Sequence, residues 1–122
     1  MKITYIELLG EKHPLCLSLA AAQAIDEAFD GGLSQMQEEV LSASTGRQAQ
    51  AIDTVLQILL KAGRTYVSAC GEELPKPLPC RPADLIDVRD QTVITTLFDA
   101  LSNDTKREVE VEEKNVEAAR GQ

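Results

Sequence analysis

Tryptophan is absent, and two Tyr and two Phe are all the aromatics among 122 residues. Stacking platforms for bases or sugars are therefore nearly missing, and Leu, Ile, Val and Ala must fill the core. Cations are scarce as well: Lys and Arg total 12 against 20 Asp and Glu, a formal net charge of −8. Most of such a surface repels a phosphate backbone, which argues against nucleic acid as a partner. No apolar run approaches the ~18 residues of a membrane helix. The opening MKITYIELLGEKHP lacks the continuous apolar stretch and small-residue cleavage site of a signal peptide, so no membrane association is expected. At ~100–200 residues per domain, there is room for one small core and none for a multidomain enzyme.

Cysteine is sparse and odd in number. Cys16, Cys70 and Cys80 do not make a disulfide framework, and reduced cytosolic thiols are the expectation. With a single histidine in the chain, a zinc site has few ligands to draw on.

What is present is mostly helical periodicity. Lys2 to Leu8 alternates and carries β-branched residues, Gly10-Glu11-Lys12 supplies a turn, and His13 to Leu17 reads as a second strand. Ser18 is placed to cap a helix with apolar positions at Ala22, Ile25, Ala28 and Phe29, stopped by Gly31-Gly32. Ser34 with Gln37 fits a capping box for a short helix, in which Leu33, Met36, Val40 and Leu41 form an apolar stripe ending at a Ser44-Thr45-Gly46 linker. From Arg47 onward Ile52, Val55, Leu56, Leu59, Gly63, Tyr66, Val67 and Cys70 follow i, i+3, i+4, i+7 spacing, predicting a long central helix. Burial of this face outweighs the ~1 kcal/mol that Gly63 costs inside a helix, and the alternative reading of Gly63 is a close contact with another backbone.

Pro75, Pro77, Pro79 and Pro82 then hold the chain extended, with a short helix expected over Ala83 to Val88. Asp90 caps a last helix whose buried face is Val93, Ile94, Leu97, Phe98 and Leu101. These elements predict an α+β fold: an N-terminal β-hairpin packed on a mainly α-helical body. One domain is expected over residues 1–103, with an acidic, mobile tail over 104–122. The alternation of Val109 and Val111 with glutamates offers a third, C-terminal strand over Lys106 to Glu112.

No constellation stands out as catalytic. His13 and Cys16 are close in sequence, but side chains three apart on a strand point to opposite faces. The simpler reading makes Cys16 and Cys70 small core residues and His13 a surface residue near the turn. Asp84, Asp87 and Asp90 recur every three residues without the glycine of a calcium loop, and acids at helix starts are expected from capping. Asp26, Glu27, Asp30, Glu38 and Glu39 read as solvated helix faces. Pro79-Cys80-Arg81-Pro82 has PxxP spacing, for which a stiff connector is the stronger explanation. No cofactor, metal or catalytic residue is assigned.

The segment YIELLGEKHPLCLSLAAAQAIDEAFDGG resembles the opening of the tail assembly chaperones of siphophages and prophages. In that family a strand, a Gly-Lys type turn, a second strand and a helix follow in this order. Gly10, Lys12, Leu15, Leu17, Leu19, Ile25, Glu27 and Phe29 carry the likeness, which covers about 30 residues and is a packing pattern rather than a chemical motif. The resemblance implies a non-enzymatic protein of the bacterial host cytoplasm that binds and solubilises the tape measure protein during tail morphogenesis. It also implies recruitment of tail tube subunits, with many members made in a longer, frameshifted form as well, and a homo-oligomer is compatible with it. On this reading Leu33, Met36, Val40 and Leu41 border a groove against the central helix that accepts a tape measure helix. The alternatives are a structural or adaptor subunit retained in the tail, and an enzyme or ligand-binding domain using His13, Cys80 or the Asp84-Asp87-Asp90 series.

Overall fold

Ile6 and Leu8, two apart in a β-branched run, turn to one face of a strand and are buried there, while Tyr5 and Glu7 face outward. A computed structural model describes residues 1–102 and places this strand, β1, at Thr4–Leu8, antiparallel to β2 at Glu11–Leu15. The turn is Leu9-Gly10, with φ of 55° and 76°, one residue earlier than the Gly10-Glu11-Lys12 turn the sequence suggests. Two successive positive φ values match the twist of a two-residue hairpin. Gly10 adopts that conformation at no steric cost, whereas Leu9 is held in it at about 1–2 kcal/mol. β2 consequently starts two residues before the expected His13. In this register His13 lies opposite Ile6, and directly opposed residues share a face, so the imidazole turns inward and is 3% exposed. His13 is thus not the surface residue expected from the sequence.

Helix α1 spans Leu19–Ala28, capped by Ser18, whose hydroxyl accepts from the Ala21 amide at 3.1 Å. Ala21, Ile25 and Phe29 are buried, whereas Ala22 and Ala28, assigned to the apolar face from sequence, are exposed. The alanine run Ala20-Ala21-Ala22 fits several helical phases almost equally, and packing selects the one that buries Phe29. Helix α2 spans Gly32–Val40 and has no side-chain cap. It begins two residues before Ser34, so the Ser34-Gln37 capping box does not form, and the Gln35 side chain instead accepts from the Gly31 amide.

Helix α3, Thr45–Ala69, is the central element, about 37 Å long at 1.5 Å per residue. Ser44 caps it, so Thr45 and Gly46 belong to its first turn rather than to a linker. Ile52, Val55, Leu56, Leu59 and Leu60 on α3 form the centre of the core, joined by Ile25, Met36, Val40, the hairpin's Ile6, Leu8 and Leu15, and Leu97 and Leu101 from the last helix. Gly63 lets β2 lie directly on α3: a Cβ there would stand 2.1 Å from the Pro14 carbonyl oxygen. One turn away the Cys16 amide donates to the Leu59 carbonyl at 3.3 Å. Tyr66 is half-buried and Cys70 exposed, so the expected apolar face ends at Val67.

The proline-rich connector leads to a 3-10 turn at Pro82–Leu85, shorter than the helix expected over Ala83 to Val88, and then to helix α4 at Gln91–Leu101. Asp53, 6% exposed on α3, fastens the connector by accepting from the Ala83 amide at 2.9 Å. Arg89 clasps the α2–α3 loop, donating to the Ser42 and Ala43 carbonyls at 3.2 and 2.6 Å, a cation where the dipole of α2 favours one. Asp90 caps α4, accepting from the Thr92 and Val93 amides, and Val93, Ile94, Leu97, Ala100 and Leu101 are buried beneath it. The fold is α+β, a two-stranded hairpin on a helical body. Residues 104–122 and the third strand expected over 106–112 lie outside the described residues. Among those described, no helix is long and apolar enough to cross a membrane.

Candidate functional site

The stripe Leu33, Met36, Val40 and Leu41 is divided by the fold. Met36 and Val40 are fully buried against α3, whereas Leu33 and Leu41 are 43% and 60% exposed. Leu33 stands in the first turn of α2 and Leu41 is its C-cap, so both project past the ends of the contact. Met36 and Val40 thus belong to the core between α2 and α3, and the opening of about 240 Å³ that these two helices border is lined by Gln35, Glu39, Arg47, Gln50, Ala51 and Thr54 rather than by any residue of the stripe.

An open groove lies on the other side, between α1 and α3, with a volume of about 560 Å³. Ala20, Ala21 and Ala24 line one wall and Ile58, Ala62 and Ala69 the other, with Lys61 and Tyr66 at its edge. The cause is side-chain length: methyl groups on both helices leave a trough where longer residues would interdigitate. The Tyr66 hydroxyl shares a hydrogen bond with the Cys70 thiol, which holds the phenol above its ordinary range.

A second opening, also of about 560 Å³, separates α3 from the proline-rich connector. Its walls carry His13, Lys61, Arg64 and Arg81, with Leu60, Leu78 and three prolines between them. Arg64 reaches across to the Pro75 carbonyl at 2.9 Å and so anchors the connector's start. Cys80 is exposed at this opening. Gln57 and Lys61, one turn apart on α3, form the ridge shared by the two openings.

The remaining candidates are dispersed. Cys16 is buried beside the Met1 thioether, and burial pushes its thiol up, which makes it a poor nucleophile. Cys70, expected in the core, is exposed because α3 ends there, beyond the last core contact; all three cysteines are free thiols. Asp84 stands 3.9 Å from Arg81, Asp87 is exposed, and Asp90 is occupied as a cap. Among the described residues no group of three or more His, Cys, Asp and Glu is placed to hold a metal ion. Pro82 is buried at the start of the 3-10 turn, so the PxxP spacing does not present both prolines to a partner.

Sequence reasoning missed both openings. Alanines give almost no phase to a hydropathy pattern, and the walls of the basic cleft come from residues 13, 60–64 and 77–82, which nothing in the sequence brings together. The one available signal was Lys61 and Arg64, a neighbouring i, i+3 cation pair in an acidic chain. Comparison with protein-family models, with curated proteins and with solved structures returned no match to this chain.

Proposed function

We propose that this chain is a non-enzymatic assembly chaperone of a siphophage or prophage tail, acting in the bacterial cytoplasm. Its site is the groove between α1 and α3, where it holds a helical segment of the tape measure protein until tail tube subunits polymerise around it. The observation that carries this reading is the alanine lining of that groove on both walls. Short side chains let a guest helix approach closely and bury an apolar stripe, the helix-in-groove mode of recognition. The hairpin-then-helix opening that resembles the chaperone family supplies one wall of the groove, α1. The acidic surface, at net −8, favours solubility of a loaded complex. The proposed partner contacts thus pass from Met36 and Val40, which hold the core, to Ala24, Ile58 and Ala62.

Co-expression with fragments of the tape measure protein encoded beside it tests the reading. The wild-type chain is expected to keep at least one otherwise insoluble fragment in solution. Ala62→Glu, which places a charge in the groove on a residue compatible with helix, is expected to abolish that rescue while circular dichroism stays unchanged. Met36→Asp is expected to unfold the protein and so cannot probe binding. Rescue retained by Ala62→Glu sinks the groove. Failure of the wild-type chain with every fragment replaces the chaperone by a structural or adaptor subunit of the tail.

A further inference from the structure

The cleft between α3 and the proline-rich connector has a composition at odds with the rest of the molecule. In a chain of net charge −8, three cations, Lys61, Arg64 and Arg81, stand around one opening. Lys61 makes no ion pair among the described residues, and Arg64 spends its guanidinium on a neutral carbonyl. Arg81 has carboxylates only at 3.9 and 4.0 Å, from an exposed side chain. The Asp53 carboxylate is held by the Ala83 amide and the Gln57 side chain and comes no nearer to Arg81 than 4.0 Å.

His13 adds an independent observation. The residue is 97% buried on the inner face of the hairpin, and its imidazole makes no hydrogen bond among the described residues. Buried polar groups are ordinarily paired. Nor is the ring sealed off, since the one enclosed and unpartnered side-chain atom among the described residues is the Thr4 hydroxyl. His13 is among the residues that line this cleft. Leu60, Leu78 and the connector's prolines supply apolar wall beside it.

We infer that the cleft is a binding site for a small organic phosphate monoester. The dianionic head sits against Lys61, Arg64 and the His13 ring, which supply charge-assisted donors from two elements, and the organic part lies along Leu60 and Leu78. A volume of about 560 Å³ falls within the range of small-molecule sites. This inference stands apart from the tape measure groove across the Gln57-Lys61 ridge and does not depend on it.

His13 is the single histidine, so its ring resonances in the tag-free, full-length protein report on the cleft alone. Titration with phenyl phosphate at constant ionic strength is expected to shift them saturably. Inorganic phosphate, lacking the organic part, and benzoate, carrying one charge, are each expected to bind at least tenfold more weakly. Lys61→Gln and Arg64→Gln should each raise the Kd for phenyl phosphate at least tenfold with helicity unchanged, whereas Arg47→Gln, remote from the cleft, should leave it within twofold. A shift that grows linearly without saturating, or one that Lys61→Gln does not weaken, overturns the site. Equal binding of inorganic phosphate overturns the monoester, and equal binding of benzoate overturns the dianion.

Discussion

Gly63 shows how much of this fold is decided by one missing methyl group. In a helix interior glycine is disfavoured by about 1 kcal/mol relative to alanine, so Gly63→Ala on an isolated α3 would stabilise it. In the protein the added Cβ meets the Pro14 carbonyl oxygen at 2.1 Å, its carbon at 2.5 Å and the Leu15 amide nitrogen at 3.0 Å. All three are backbone atoms and cannot swing aside as a side-chain tip does, so β2 must lift from α3. The midpoint of the ~1–3 kcal/mol overpacking cost exceeds the propensity gain, and chemical denaturation of Gly63→Ala should read a net loss of about 1 kcal/mol. A gain in stability would mean that β2 does not rest on this turn. The contact was legible in the sequence as a glycine inside an otherwise unbroken apolar stripe. The identity of the neighbouring backbone was not, because Pro14 lies 49 positions away. His13 was misread for a related reason. Its facing depends on hairpin register: the two-residue turn at Leu9-Gly10 sets it opposite inward-facing Ile6, whereas a three-residue turn at Gly10-Glu11-Lys12 would set it opposite Leu9, on the outer face.

Capped elements were easier to read than uncapped ones. Ser18 and Asp90 accept the amide hydrogen bonds expected of an N-cap, Ser44 does so although the sequence suggests a linker there, and the helices they open were legible to within a few residues. Helix α2, with Gly31 at its N-cap, has no such anchor, and its start and its exposed ends were the parts misjudged. Its position depends instead on α3, through Met36 and Val40 in the core and through an ion pair at the rim. Arg47 on α3 donates from Nε to one Glu39 oxygen at 3.0 Å and from its terminal nitrogen to the other. The hydrogen bonds from Arg47 hold the Glu39 carboxyl below its ordinary value of 4.5. A carboxylate whose folded-state value is depressed contributes stability that is fully present above the unfolded value and is lost as pH falls through the folded one. Arg47→Gln should therefore lower the thermal midpoint at pH 7, and the gap to wild type should close as the pH is taken below 4.5 toward 3. A gap that is the same at both pH values would show that the substitution acts through packing and not through this pair.

The two ends of the described chain close on each other. β1 packs on α4 and β2 on α3, so the hairpin bridges two helices that its own sequence says nothing about. At the rim the Lys2 ammonium donates to the Asp99 carbonyl at 2.8 Å, across 97 positions. A two-stranded hairpin is marginal by itself, and here its inner face, Ile6, Leu8 and Leu15, shares one core with Leu59 of α3 and Leu97 of α4. Composition and periodicity gave the hairpin and the helices separately, but not this closure, since an amphipathic face shows that something covers it without showing what. With a single core, the hairpin cannot open while the helices stay intact. Leu97→Ala removes a fully buried side chain from α4 and should cost about 2–5 kcal/mol. Native-state hydrogen exchange should record that same loss in the slowest amides of β1, β2 and mid-α3, although none of them belongs to α4, because these amides exchange through one global opening. Protection lost in α4 alone, with the hairpin amides unchanged, would show that α4 detaches as a separate unit. The hairpin would then owe its place to the Gly63 contact with α3 rather than to closure of the whole chain.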